Sequence, residues 1–126
     1  MQNMGFNDVD DSREGIGRFL ERNPDTCFVA EDGQRIAGVI LGGHDGRRGF
    51  IHHLAVAGDY RRQGLGTGLV EACLEAMKAQ QISKVALLVF KYNDDGNAFW
   101  EKQGFTVRED LNYRNRALRD LIRIDT

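Results

Sequence analysis

Proline is nearly absent. Pro24 is the only one in 126 residues, so polyproline segments and long loops are not expected. Cysteine is scarce as well. The 2 cysteines, Cys27 and Cys73, are too few for a zinc site and form no Cys-x-x-Cys pair, so no metal is expected. Nothing approaches the roughly 18 consecutive apolar residues that a membrane span requires. An excess of positive charge is also missing. Lys and Arg number 17 against 19 Asp and Glu, a net charge of −2 with a pI near 5.9. A nucleic-acid binder or a polybasic membrane binder needs the opposite sign, so neither nucleic acid nor membrane is an expected partner. The opening MQNMGFNDVDD has no basic region followed by an apolar stretch, and no secretory signal is expected from it. The expected compartment is the cytoplasm, where both thiols stay free and buried.

What is present has an ordinary globular balance, 41% hydrophobic and 29% charged. The mass of 14.2 kDa is that of one domain, taken here as residues 1–126. Residues 12–22 read as a short helix, capped by Ser12 or Asp11, with Ile16, Phe19 and Leu20 on one face. Residues 27–31 and 34–42 read as two strands joined at Asp32-Gly33, a hairpin signal whose central positions both favour positive φ. A longer turn at 42–49 leads to a third strand at 50–57. The period then changes. From 64 to 80, Leu65, Leu69, Cys73 and Met77 recur every fourth residue, the mark of an amphipathic helix. The apolar run 84–90 suggests a central strand covered on both faces. A further helix spans about 94–103, capped by Asn93 or Asp94, with Gly104 as its left-handed stop. Residues 105–109 and 112–118 read as a closing pair of strands. The expected fold is a mixed-sheet α/β domain of about six strands and three helices, not a regular βαβα repeat.

The segment that carries chemistry is GDYRRQGLGTG at 58–68. A strand ends, Arg61 and Arg62 follow, then Gly64, Gly66 and Gly68 at alternate positions as a helix begins. Glycine turns tightly and leaves amides exposed. The first amides of a helix have no internal partner, and the helix dipole adds partial positive charge there. With the arginines as charge-assisted donors, this forms a cradle for a pyrophosphate. A phosphate-binding P-loop would need a lysine after the second glycine, and Thr67 stands there. The dinucleotide fingerprint would need a sixth-position glycine, and Leu69 stands there, with no acidic residue about 20 positions on.

The pattern that does fit is Arg61-Arg62-Gln63-Gly64-Leu65-Gly66 after His53-Leu54-Ala55-Val56. It resembles the coenzyme A site of the GNAT superfamily of N-acetyltransferases. Downstream, Asn93 and then Ala98-Phe99-Trp100-Glu101-Lys102-Gln103-Gly104-Phe105 resemble the family's Asn…Ala-x-Tyr-Glu-Lys-x-Gly-Phe helix. The turn at 43–49 is similar to that of small bacterial members. The likeness covers roughly residues 27–118. It implies a bulged third strand splaying from the run at 84–90, with the pantetheine arm of acetyl-CoA entering the gap along Leu54, Ala55 and Val56. It implies a pyrophosphate on the amides of Gln63, Gly64, Leu65, Gly66 and Thr67, with Arg61, Arg62, Gly68 and Trp100 in the same site. An amide near Leu54 would face the thioester carbonyl. Asn93 is either a pantetheine ligand or simply a helix cap.

The implied activity is acetyl transfer from acetyl-CoA to a primary amine, by direct attack in a ternary complex without a metal. His52 is the preferred general base and His53 the second choice; either could instead be structural. Where many members carry a tyrosine acid, this chain has Trp100, whose indole cannot supply a proton. Either Tyr92 or a water would replace it, or the thiolate would leave without help. The acceptor is a small-molecule or protein amine. Asp94, Asp95, Glu109 and Asp110 are either attractors of a cationic acceptor or solvated charges. The family's usual first strand and helix would be missing from this chain: either the chain begins late, or a second copy in a homodimer covers the exposed flank. The rival expectations are a non-catalytic acyl-CoA-binding regulatory module and a general anion-binding domain.

Overall fold

The computed structural model describes residues 9–122. Helix α1 (Arg13–Arg22) precedes an antiparallel meander of β1 (Cys27–Asp32), β2 (Arg35–His44) and β3 (Gly49–Val56). A 3-10 turn at Gly58–Tyr60 leads into α2 (Leu65–Ala79), β4 (Val85–Leu87) and α3 (Asp94–Lys102). The four strands form one sheet in the order β1-β2-β3-β4, with β4 parallel to β3.

Local chemistry explains most of these limits. Ser12, not Asp11, caps α1: its hydroxyl accepts from the Gly15 amide at 3.0 Å. Asn23 closes that helix and is itself buried, its side-chain oxygen accepting from the His44 amide at 3.0 Å. Ile16 and Phe19 are half-buried, while Leu20 is exposed. The hairpin turn is Gly33-Gln34, since Asp32 still pairs with Arg35. Only Gly33 takes positive φ, so the turn is not the one in which both central residues do. In the next turn, Asp45 accepts from the amides of Arg47 and Arg48.

The fourfold spacing in α2 is its buried stripe. Leu69, Val70, Cys73 and Met77 meet Ile40, Ile51 and Ile82 in the core. Burying each such side chain stabilises by roughly 1.5–3 kcal/mol. The helix sits close to the sheet because glycines lie beneath it: a Cβ at Gly42 would fall 2.5 Å from Cys73 Sγ, and one at Gly49 would collide with Met77. Both cysteines are free; Cys73 is buried and Cys27 half-buried. Among the described residues no helix is long and apolar enough to cross a membrane.

Two expectations are corrected. The run 84–90 is not a strand covered on both faces. Only Val85–Leu87 pair, and Ala86 and Leu88 are exposed. The segments 105–109 and 112–118 form no strands, so the sheet has four strands among the described residues rather than about six. Their alternation suits a strand, but a strand needs a ladder. The three-residue β4 offers little edge, and no tight-turn sequence joins the two segments to set a register. Val107, Leu111 and Leu118 remain exposed in consequence.

Candidate active site

The site begins with an irregularity in β3. Leu41 pairs with His53 and Gly42 with Ile51, so His52 is an extra residue in the ladder. Such a bulge bends the strand and disturbs the alternation of side chains. His52 and His53 therefore both line one cleft instead of facing opposite sides of the sheet. The bend also ends the pairing with β4, which stops at Ile51 and Leu87. Beyond that point the two strands part.

The open edge can be assigned residue by residue. The Ala57 amide donates to the Ala37 carbonyl at 2.8 Å. In an antiparallel ladder, residues alternate between bonding the partner strand and turning away from it. Ala55 and His53 thus bond towards β2, and Leu54 and Val56 turn their backbone groups to the edge that β4 has left.

Where β3 ends, the chain turns through left-handed backbone at Arg62 (φ 65°) and Gly64 (φ 79°). Gly64 is the N-cap of α2 and has no side chain to satisfy the helix start. The first intrahelical bond runs from the Gly68 amide to the Gly64 carbonyl at 3.0 Å. The amides of Leu65, Gly66 and Thr67 therefore have no acceptor within the helix. The turn itself is braced from the hairpin tip. Arg35 forms two hydrogen bonds to Asp59, at 2.6 and 2.9 Å, and the Tyr60 hydroxyl donates to Asp32. Gln103 Nε2 donates to Thr67 Oγ1 at 3.1 Å, joining α3 to the same helix start.

These elements enclose a cleft of about 1650 Å3. Leu54, Ala55, Val56, Arg61, Arg62, Gly64, Leu65, Gly66, Thr67, Asn93 and Trp100 all line it, together with the two histidines. Gln63, Gly68 and Tyr92 do not. Tyr92 stacks on Phe90, with ring centroids 5.2 Å apart, and points to solvent. Asn93 is the cap of α3, its Oδ1 accepting from the Gly96 amide at 3.0 Å. Trp100 packs edge-on against Phe99 and Phe105.

The histidines differ. His53 Nε2 lies 2.9 Å from Asp11 Oδ1, and both side chains are nearly enclosed. His52 remains accessible from the cleft but rests against the rings of Phe19 and Phe50, at 5.1 and 4.7 Å. Loss of water around His52 is the main cause that holds it below its ordinary pKa of 6.5; His53 adds to the lowering, and Asp11 and Asp10 oppose it. A neutral imidazole at neutral pH is an available proton acceptor. Asp11 escaped the sequence argument because nothing in the chain links it to a residue 42 positions away.

The sequence profile of the Acetyltransferase (GNAT) family matches residues 3–105. The chain is similar to an acetyltransferase of Sodalis glossinidius, 32% identical over 101 residues, covering 80% of this chain and 71% of that one. It is 30% identical over 110 residues to an acetyltransferase of Pectobacterium atrosepticum, covering 87% and 78%. Its backbone matches Ard1 from Thermoplasma volcanium with a TM-score of 0.72 and 26% identity, covering 77% of this chain and 66% of that one. A GNAT family acetyltransferase from Elizabethkingia anophelis, solved with acetyl-CoA bound, shares the fold with a TM-score of 0.66 at 22% identity, covering 80% and 65%.

Proposed function

The chain belongs to the GNAT acetyltransferase family, and from that premise we propose that it moves an acetyl group from acetyl-CoA to a primary amine within a ternary complex. The observation that carries this reading is the open β3 edge running directly to an uncapped α2 start within one cleft. A strand edge suits the amide-bearing pantetheine arm. The free amides of Leu65, Gly66 and Thr67, with Arg61 and Arg62 beside them, suit a diphosphate. The residues present therefore fit acetyl-CoA, which supplies an activated acetyl carbon when bound.

The chain's own part follows from the same geometry. The outward backbone at Leu54 offers a donor where negative charge develops on the carbonyl oxygen. The amine nitrogen bonds the acetyl carbon as the carbon–sulfur bond breaks, and the electron pair leaves on sulfur. His52, or a water it orients, takes the amine's proton. Tyr92 stands outside the cleft, which favours water as the proton source for the thiolate. A thiol of pKa about 8.5 is a tolerable leaving group without further help.

The packing of Trp100 between Phe99 and Phe105 favours one rival, an acyl-CoA-binding module without catalysis. Thermal shifts with CoA, acetyl-CoA and ATP, followed by mass spectrometry of an amine panel, separate the readings. Transfer that His52→Ala abolishes while CoA affinity persists supports the enzyme. Binding of CoA with no transfer on any amine supports the module, and equal stabilisation by ATP would undo both.

A further inference from the structure

A second cleft, of about 480 Å3, opens beside the first and shares Phe50 and His52 with it. It lies between the last turn of α1, the turn at 45–48 and the start of β4. Buried Asn23 fixes its base, donating to the Phe19 carbonyl at 3.3 Å and accepting from the His44 amide at 3.0 Å. Gly43 permits that closeness, since a Cβ there would stand 2.8 Å from Asn23 Nδ2.

The charges around this cleft are one-sided. Arg22, Arg48 and Lys84 line it. All three are exposed, and among the described residues none of these side chains has an ion pair or hydrogen bond. The one acid in the lining, Asp45, is turned to its own loop, accepting from the amides of Arg47 and Arg48 at 2.8 Å each. His44 is held by neutral partners. Its Nδ1 accepts from the Gly46 amide at 3.0 Å, and its Nε2 faces Gln80 Oε1 at 2.8 Å. Three elements distant in sequence thus bring unpaired cations to a cavity that shares His52 with the first cleft.

We propose that the acceptor amine carries an anionic group, a carboxylate or a phosphate, seated by Arg22, Arg48 and Lys84 with the amino group at His52. This rests on the transferase reading above and adds the class of acceptor. Charge-assisted bonds to the anion would orient the amine. A polycationic acceptor would meet like charge at this side.

The test uses the full chain and two matched pairs of amines: β-alanine with β-alaninamide, and O-phosphoethanolamine with ethanolamine. In wild type the anionic member of at least one pair is expected to have the higher kcat/KM by about tenfold or more; the responding pair tells carboxylate from phosphate. In Arg48→Gln and Lys84→Gln that ratio falls towards one, and Arg48→Lys restores part of it. Equal or reversed preference in wild type, or an unchanged ratio in the variants, overturns the proposal. Should no amine be acetylated, amide NMR titrations of the CoA-bound protein decide. Saturable shifts at Arg48 and Lys84 from the anionic members, lost in the variants, keep the anion seat and remove the transferase reading. No shifts remove the seat.

Discussion

His53 and Asp11 meet across 42 positions of sequence, Nε2 to Oδ1 at 2.9 Å, in a pocket that leaves their side chains 11% and 8% exposed. The contact holds the segment before α1 against the bulge of β3. Asp11→Ala leaves the imidazole facing a gap. The expected loss is about 1–3 kcal/mol of folding stability, read by urea denaturation. An unchanged midpoint would show that the pair is incidental.

His52 sets a different expectation. Its pKa lies below 6.5, so kcat/KM should rise with pH and level off with a midpoint below that value. His52→Gln should lower kcat by about 10²-fold or more. The sign for stability follows by linkage. The native state binds fewer protons here than the unfolded chain, so stability is complete above about 6.5 and falls as pH drops through the native value. A midpoint above 7 in the rate profile would remove His52 from the base role.

Gly64 holds φ at 79°. A side chain there costs about 1–2 kcal/mol in backbone strain. Gly64→Val should lower the melting temperature and weaken CoA binding together. Calorimetry on the free protein and CoA titration separate the two effects, and a variant with normal affinity would show that the turn does not hold the diphosphate.

Cys73 is buried, and desolvation pushes its pKa from 9.0 up to about 11. Alkylation at neutral pH should leave it untouched until the protein unfolds. The native thiol keeps its proton where the unfolded one loses it, so stability should decline as pH rises from about 9 towards 11. Rapid native-state labelling of Cys73 would contradict the packing of α2.

Met77 is fully enclosed beneath α2. Met77→Ala should cost about 2–5 kcal/mol, measurable by chemical denaturation.

Some of this was readable in the chain and some was not, for physical reasons. The fourfold spacing of Leu65, Leu69, Cys73 and Met77 has one good solution, a helix with that stripe inward. Gly64 at the head of the α2 stripe marks a tight turn into an uncapped helix start, which the structure has. The apolar run 84–90 was less informative. Its composition suggests cover on both faces, yet Ala86 and Leu88 are exposed, and composition does not say how many backbone groups find partners. The extra residue at His52 decides that, because the bend it puts in β3 ends the pairing beyond Ile51 and Leu87. Residues 105–118 alternate like strands, yet alternation cannot supply an edge to pair with. The contact of Asp11 with His53, and the gathering of Arg22, Arg48 and Lys84, depend on how separate elements pack. No local pattern encodes them.

The brace between the β1–β2 hairpin and the turn before α2 has a mechanical consequence. Asp32 and Arg35 flank the hairpin tip, and they grip Tyr60 and Asp59. A loop at the far end of the hairpin therefore acts as a tensioner for the turn proposed to hold the diphosphate. Inserting one residue after Gly33 would slacken that turn while leaving every residue of the proposed cradle intact.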